Sequence, residues 1–213
     1  RMSLIHKHLA TAVSNTIQSG KRPVSIAGDC CTTIGVLAGL QQAGIDPALI
    51  WFDAHGDFNT WETTASGFLG GMPLAMLVGR GEMTMMHGVE AKPLPENLVI
   101  LTDARDLDPG EKVLVEESAI LHIADLVQLL ETPLPDKPIY VHFDVDILDP
   151  KDAPAMNYPA LGGPSVQLLR QVFKYMAKSG QIAAISVSAW NPEMDEDGRS
   201  QTIIMSLLET LYQ

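Results

Sequence analysis

Two short acidic stretches carry the chemistry of this sequence. DAHGD, at 53–57, places Asp53, His55 and Asp57 at alternate positions directly after the apolar run ALIWF. HFDVDILDP, at 142–150, places His142, Asp144 and Asp146 with the same alternation. Side chains two apart in an extended segment project to one side, so each triplet can converge. If the two segments are neighbours, four aspartates share one site. Uncompensated, that is costly, because like charges a few ångströms apart raise one another's pKa values. Two divalent cations would cancel four carboxylates. Oxygen ligands with one or two imidazoles suit Mn2+, Fe2+, Co2+ or Zn2+. Asp29, Asp103 and Asp149 have a plainer reading as helix caps and turn formers.

Regular elements must position these groups. Strand-like runs occur at 22–28, 48–54, 97–105, 119–123, 138–146 and 182–190, rich in Val and Ile. Helical spacing occupies 3–20, 32–44, 110–118, 124–131, 165–180 and 200–213. Repeated strand–helix units predict an α/β domain with a mostly parallel sheet covered by helices. Ligands of such sheets bind beyond the carboxyl ends of the strands. AGDCC, DAHGD, TDARDLD, DVDILDP and WNP all fall at such ends. The stretch 59–96, rich in Gly, Met and Pro, is predicted to be irregular, and long loops of compact domains are often functional. Trp51 reads as core, whereas Trp61 and Trp190 flank the presumed mouth and could wall a substrate. His87 reads as a surface residue in adaptable Met-rich packing or a mobile loop, and His6 and His8 are assigned no chemistry.

Bulk properties narrow the partners. The 213 residues suit one domain spanning 1–213, long enough for a sizeable core. A hydrophobic fraction of 46% and a charged fraction of 19% are those of an ordinary globular protein. The formal net charge of −12 argues against nucleic acid and anionic membranes, which want a basic face, and leaves a small-molecule substrate. Cys30 and Cys31 are adjacent. A trans peptide holds their Cα atoms about 3.8 Å apart, below the usual disulfide range of about 4.4–6.8 Å. A reduced, cytoplasmic protein is expected. No apolar run approaches the length of a membrane span, and no signal peptide is visible. The opening RMSLIHKHLA reads as the approach to a helix, with the true N-terminus expected upstream.

From about residue 8 to the end, the sequence resembles the ureohydrolases, the family of arginases, agmatinases and formimidoylglutamases. That family carries G-G-D-H, D-A-H-x-D, S-x-D-x-D-x-x-D-P and E-x-N-P in this order. The corresponding stretches here are AGDCC, DAHGDFN, HFDVDILDP and AWNP. SGFLGG at 66–71 and RDLDPGE at 105–111 also fall where arginases have matching segments, and GGP at 162–164 matches a turn before a helix. The resemblance implies a three-layer αβα fold with a parallel sheet and a dinuclear manganese site. There, a hydroxide held between the metals attacks a guanidinium or formimino carbon. Carried over by position, Asp53 and Asp144 would bridge both metals, Asp57 would complete the first, and His55 with Asp146 the second. Asp57 and Asp144 would thus sit at the catalytic centre. Asn59, Thr64, Ser66 and Asp108 correspond to residues that hold the amino-acid end of the substrate in arginases.

The departures are as specific as the matches. Cys30 stands where the family has its first metal-ligating His, and a thiolate is softer, favouring zinc or iron over manganese. Cys30 is therefore either a ligand or a small buried hydrophobe. His142 replaces a Ser two residues before Asp144, as a ligand, a partner of one, or a core histidine. Ala189 replaces the glutamate that clamps the guanidinium, and Gly70 replaces a loop histidine of arginases. Glu62, Glu193 and Asp195 lie near enough in sequence to replace the clamp. The family's N-terminal strand has no counterpart before residue 8. The missing cover for the sheet, with the trimers and hexamers common in the family, predicts self-association. The expected function is hydrolysis of a linear C–N bond in a guanidino, amidino or formimino compound. The alternative is a relative that has lost the reaction and serves binding or assembly.

Overall fold

The computed structural model describes residues 1–213. Six strands form one sheet in the order β1-β6-β5-β2-β3-β4: β1 (Val24–Ile26), β2 (Ala48–Asp53), β3 (Val99–Asp103), β4 (Leu121–Ile123), β5 (Ile139–Asp144) and β6 (Ile182–Ser188). Every neighbouring pair is parallel, so the sheet expected to be mostly parallel is wholly so. The central strands β2 and β5 are buried along their whole length, which is why they read as continuous apolar runs.

Alternation along the strands divides the core in two. Leu49, Trp51, Leu101 and Tyr140 face one side, where they pack with α1 (Met2–Gln18), α2 (Thr33–Gln42) and the Met-rich segment. Ile50, Phe52, Val141 and Phe143 face the other, under α6 (Val166–Lys178) and α7 (Arg199–Tyr212). The result is the three-layer αβα arrangement. In α6 the buried residues Leu169, Val172, Phe173 and Met176 repeat at helical spacing, so one stripe faces the sheet.

Two expectations change. Residues 124–131 form a five-residue 3-10 helix, Leu126–Leu130, instead of an α-helix. Its buried residues Leu126 and Leu129 are three apart, the 3-10 repeat, and Pro133 lies three residues past its end. The stretch 59–96 is packed rather than loose. It contains α3 (Pro73–Leu77) and α4 (Thr84–Gly88), and Met72, Leu74, Met76, Met85 and Met86 are all buried in the α1–α2 side of the core. His87 is exposed, as expected.

The seam between α1 and α2 is glycine-lined. A Cβ on Gly39 would lie 2.6 Å from the Ala10 carbonyl and the Val13 side chain, so only glycine permits this approach. His6 lies in this seam, fully buried, and both of its ring nitrogens lack a hydrogen-bond partner. On the opposite side of the seam, a Cβ on Gly35 would meet the His6 backbone at 3.1 Å.

The loops after β3 and β5 are tied by one side chain. Arg105 pairs with Asp103 and donates to the carbonyls of Ile147 (3.2 Å), Asp146 (3.1 Å), Ala160 (2.8 Å) and Leu161 (3.0 Å). The turn that brings it there is sharp, with Asp103 and Ala104 both in the left-handed region (φ 62° and 48°). After β5, Gly163 presses on the backbone at Ile147–Asp149, where a Cβ would sit 2.3 Å from the Ile147 carbonyl.

Burial pulls the His6 pKa below its ordinary 6.5, against a smaller upward pull from Asp29. Above about pH 6.5 neither folded nor unfolded chain protonates it; below, the unfolded chain takes up a proton that the folded chain refuses. His6→Leu is therefore expected to stabilise the protein by about 1–2 kcal/mol at neutral pH, by removing unpaired buried nitrogens. The gain should grow as pH falls below 6.5, and urea titrations at two pH values would measure it. Arg105→Ala is expected to cost roughly 3 kcal/mol, the scale of a broken buried ion pair, read as a lowered unfolding midpoint.

Candidate metal centre

The site follows from strand register. Trp51, His142 and Ser186 are neighbours across β2, β5 and β6. Two residues further along, on the same face, Asp144 pairs with Ser188, and Asp53 ends β2 beside Asp144. A polar layer at the strand ends thus rests on a Trp–His–Ser layer within the sheet. Beneath that again, the Tyr140 hydroxyl lies 2.7 Å from Ser186 Oγ. Cys30 approaches from the 3-10 turn Cys30–Thr32 after β1, which Asp29 caps by accepting from the Cys31 amide at 2.7 Å. The strand order reverses between β2 and β5, and the site lies at their carboxyl ends, the switch point where such sheets bind ligands.

Each carboxylate is held. Asp53 Oδ2 accepts from Trp51 Nε1 at 3.0 Å, and its Oδ1 accepts from the His55 amide at 2.7 Å. Asp144 Oδ1 accepts from the Asp146 amide at 2.9 Å, and its Oδ2 accepts from Ser188 (2.8 Å) and the Cys30 thiol (2.9 Å). His55 Nδ1 lies 3.1 Å from Asp146 Oδ2 and 3.4 Å from Asp53 Oδ1. Asp57 is the exception: its backbone is left-handed (φ 49°), and its buried Oδ2 has no hydrogen-bond partner.

Ligand-type atoms gather in two sets. Those of Cys30, Asp53, His142 and Asp144 lie within 4.8 Å of one another, as do those of Asp53, His55 and Asp146. Asp53 belongs to both. Asp57 falls in neither set but lines the same cavity, of about 220 Å3. Asn59, Thr64, Ser66 and Asp108 line it as well, with Phe68, Tyr158, Glu111 and Ala189. Eight acidic residues border this space and no Lys or Arg does.

The electrostatics follow. Burial, then the charges of Asp53 and Asp144, push the Asp57 carboxyl well above the carboxylate range. Burial and Asp146 raise Asp144 to about 8; burial and Asp53 raise Asp146 to about 6. Burial also raises Asp53, with Asp144 adding to it. Burial works against a charged His55, but the Asp146 and Asp53 carboxylates outweigh it and hold the imidazole up to about 12. Burial, with Asp144, Asp57 and Asp53, drives the Cys30 thiol far upward, and burial alone lowers His142 to about 3. Four buried carboxyl groups thus share one imidazolium, and one buried oxygen is orphaned. A divalent cation reverses this imbalance, and the oxygen, nitrogen and sulfur donors suit one. The residues present fit a metal centre.

Several expectations about the surroundings change. Trp61 donates to Glu82 at 3.0 Å and Trp190 to Asp195 at 3.1 Å, and neither lines the cavity. The aromatic wall is Phe68 and Tyr158, with ring centroids 5.3 Å apart. Glu62, Glu193 and Asp195 are also absent from the lining, and Asp195 is occupied by the Ser200 and Gln201 amides at the start of α7. Trp51 is core, as read, yet also a donor to Asp53. Asp29 and Asp149 act as caps and turn formers, and Asp103 forms the left-handed turn after β3 while its side chain pairs with Arg105. Residues the sequence reading passed over include Ser186 and Ser188, whose two-residue spacing in SVS was a usable signal. Glu111 was also readable, from the D-x-x-E capping box with Asp108 that opens α5 (Pro109–Glu116). Its carboxylate accepts from the amides of Phe58 (2.8 Å) and Asp108 (3.1 Å) and so supports the loop after Asp57. Tyr158, in an irregular segment, gave no signal.

The chain is similar to known proteins over nearly its whole length. The sequence matches the Arginase family over residues 1–212. It is 32% identical over 221 residues to an arginase of Bacillus caldovelox and 33% identical over 219 residues to one of Bacillus subtilis. Each alignment spans 97% of this chain and 74% of the relative. The crystal structure of arginase from Bacillus cereus superposes with a TM-score of 0.92 at 29% identity, covering 99% of this chain and 77% of that one. The chain belongs to the arginase family.

Proposed function

We propose that this protein is a metal-dependent hydrolase of a linear C–N bond, acting on a small amidino, formimino or guanidino compound. The observation that carries this reading is the buried set Asp53, Asp57, Asp144 and Asp146, balanced within the chain by His55 alone. Family membership supports it. Two divalent cations are the proposed cofactor: Asp53 and Asp144 would serve both, Cys30 and Asp57 the first, and His55 with Asp146 the second. Bound divalent cations supply a water of lowered pKa and polarise the bond to be broken.

The chain's own groups do the rest. Trp51 and the His55 amide fix the two oxygens of Asp53, and Ser188 with the Asp146 amide fixes Asp144, so the acceptors are oriented in advance. Asn59 donates to Asp108 at 3.1 Å, and its own oxygen accepts from Thr63 at 2.9 Å. With Thr64 and Ser66, this pair makes a polar rim that would hold the far end of the substrate. Phe68 and Tyr158 would limit water. At Ala189 no carboxylate faces the cavity. A guanidinium held there would lack a paired acceptor, so an uncharged amidine or formimino group fits better. A cytoplasmic homo-oligomer with one catalytic domain per chain is the expected setting.

A second reading has its own observation. The Cys30 thiol donates to Asp144 and lies 3.0 Å from Ser188, so a protonated Cys30 closes one metal position with internal hydrogen bonds. On that reading the protein binds at most one metal and performs no hydrolysis.

Metal analysis with a substrate panel separates the two. Two metal equivalents and metal-dependent release of ammonia, urea or formamide are expected. No turnover with any divalent metal would overturn the hydrolase. Asp57→Asn is expected to lower kcat by about 100-fold or more, within the range of lost acid–base or metal-positioning groups. Ala189→Glu restores a carboxylate facing the cavity. It should raise kcat/KM for guanidino compounds over formimino ones by roughly 10–100-fold, the worth of one charge-assisted hydrogen bond.

A further inference from the structure

In the buried polar layer under the carboxylates, His142, Ser186 and Tyr140 have no role in the function described so far. His142 is fully buried, stacked on Trp51 with ring centroids 3.9 Å apart. Its Nδ1 lies 2.8 Å from Ser186 Oγ, and Ser186 is in turn 2.7 Å from the Tyr140 hydroxyl. In the tautomer whose Nδ1 donates to Ser186 Oγ, Nε2 carries a lone pair directed at the site. Its one contact there is Ser188 Oγ at 3.3 Å. A metal-ligating histidine is characteristically fixed in this way, by a hydrogen bond from the nitrogen that does not bind. The Cys30 sulfur lies 3.0 Å from the same Ser188 Oγ and within 4.8 Å of the His142 ligand nitrogen. Together with Asp53 and Asp144 these atoms span no more than 4.8 Å, near the ligand spacing of about 3.4–3.8 Å at a tetrahedral zinc.

We propose that Cys30, His142, Asp53 and Asp144 form a thiolate–imidazole–carboxylate site that selects zinc over manganese, so that the two metal positions of this chain differ in chemistry. The proposal deepens the metal-hydrolase reading and rests on it. Sulfur and imidazole donors suit zinc, whereas the Asp53, His55 and Asp146 set, with two carboxylates and one imidazole, also suits manganese. Binding exchanges the S–H bond of Cys30 for a sulfur–metal bond and releases one proton to solvent. Asp57, with its unpartnered oxygen, stands at the same cavity as a further oxygen donor.

Cobalt(II) is the probe, because thiolate coordination gives it a sulfur-to-metal absorption band in the near ultraviolet that oxygen and nitrogen ligands do not. The purified full chain, stripped of metal and titrated with Co2+, is expected to develop that band. Cys30→Ser should abolish it while cobalt still binds at the other position. Competition between zinc and manganese, read by elemental analysis, should leave one zinc per chain against excess manganese. Cys30→His or His142→Gln should reduce that zinc preference about 100-fold or more, and Ser186→Ala, which removes only the support behind Nδ1, about 10-fold. Circular dichroism and the unfolding midpoint identify any variant that fails to fold, and Cys30→Ser and Cys30→His, small changes at a different residue, keep the test independent of His142. Cobalt bound without the sulfur band overturns this proposal and leaves the hydrolase reading standing. No cobalt bound at either position overturns both.

Discussion

Four carboxyl groups with one imidazolium, sealed at the end of a parallel sheet, set the terms for the rest of this molecule. The arrangement is unfavourable to folding: burial and mutual repulsion raise Asp53, Asp57, Asp144 and Asp146 together. Register makes it unavoidable, since β2 and β5 are adjacent and both end in aspartate. Much of the surrounding structure is explained as the means of holding this cluster in place. Arg105 spends its guanidinium on the Asp103 carboxylate and four carbonyls of the loop after β5. Glu111 spends its carboxylate on two amides at the loop after β2. Trp51, fully buried in the core, gives its indole N–H to the Asp53 carboxylate at the end of its own strand. A stability-only design would bury none of these groups, and their presence together at a strand switch point is the signature of a site.

Legibility in the sequence tracked how local the determining physics was. The central strands were readable because burial on both faces demands unbroken apolar runs, and α6 because burial on one face demands a stripe. The helix expected at 124–131 failed because a three-residue repeat ahead of Pro133 satisfies the core as well as a longer helix would. Alternate spacing was enough to find Asp53, His55, Asp144 and Asp146, since that period survives at a strand end whatever the neighbours are. It did not show that Asp57, itself in the left-handed region, lines the cavity without joining either ligand set. Nor could it show that Ser186 and Ser188 lie beside His142 and Asp144, because that depends on β6 pairing with β5. The tryptophans at 61 and 190 were misplaced for a similar reason: nearness in sequence to a motif says nothing about where an indole N–H finds its acceptor.

On the proposed reading, the replacement at Ala189 would act on the substrate through geometry more than through net field. The cavity keeps eight acidic residues and no basic one, so cations are still drawn into it. Attraction is not recognition, because a guanidinium needs a free carboxylate in the plane of its N–H groups. The carboxylates present have other partners: Asp29 accepts from the Cys31 amide, Glu111 from two amides, and Asp108 from Asn59. Asp106 is largely exposed, with an oxygen 4.0 Å from His55 Nε2. The four remaining belong to the buried cluster itself. A cationic ligand can therefore be concentrated at this mouth without being clamped, whereas a metal ion, which imposes its own geometry on the carboxylates around it, loses nothing. On the proposed reading, the same acidic field that makes the site hospitable to divalent cations would leave the choice of organic substrate to the polar rim at Asn59, Thr64, Ser66 and Asp108 and to the aromatic pair Phe68 and Tyr158.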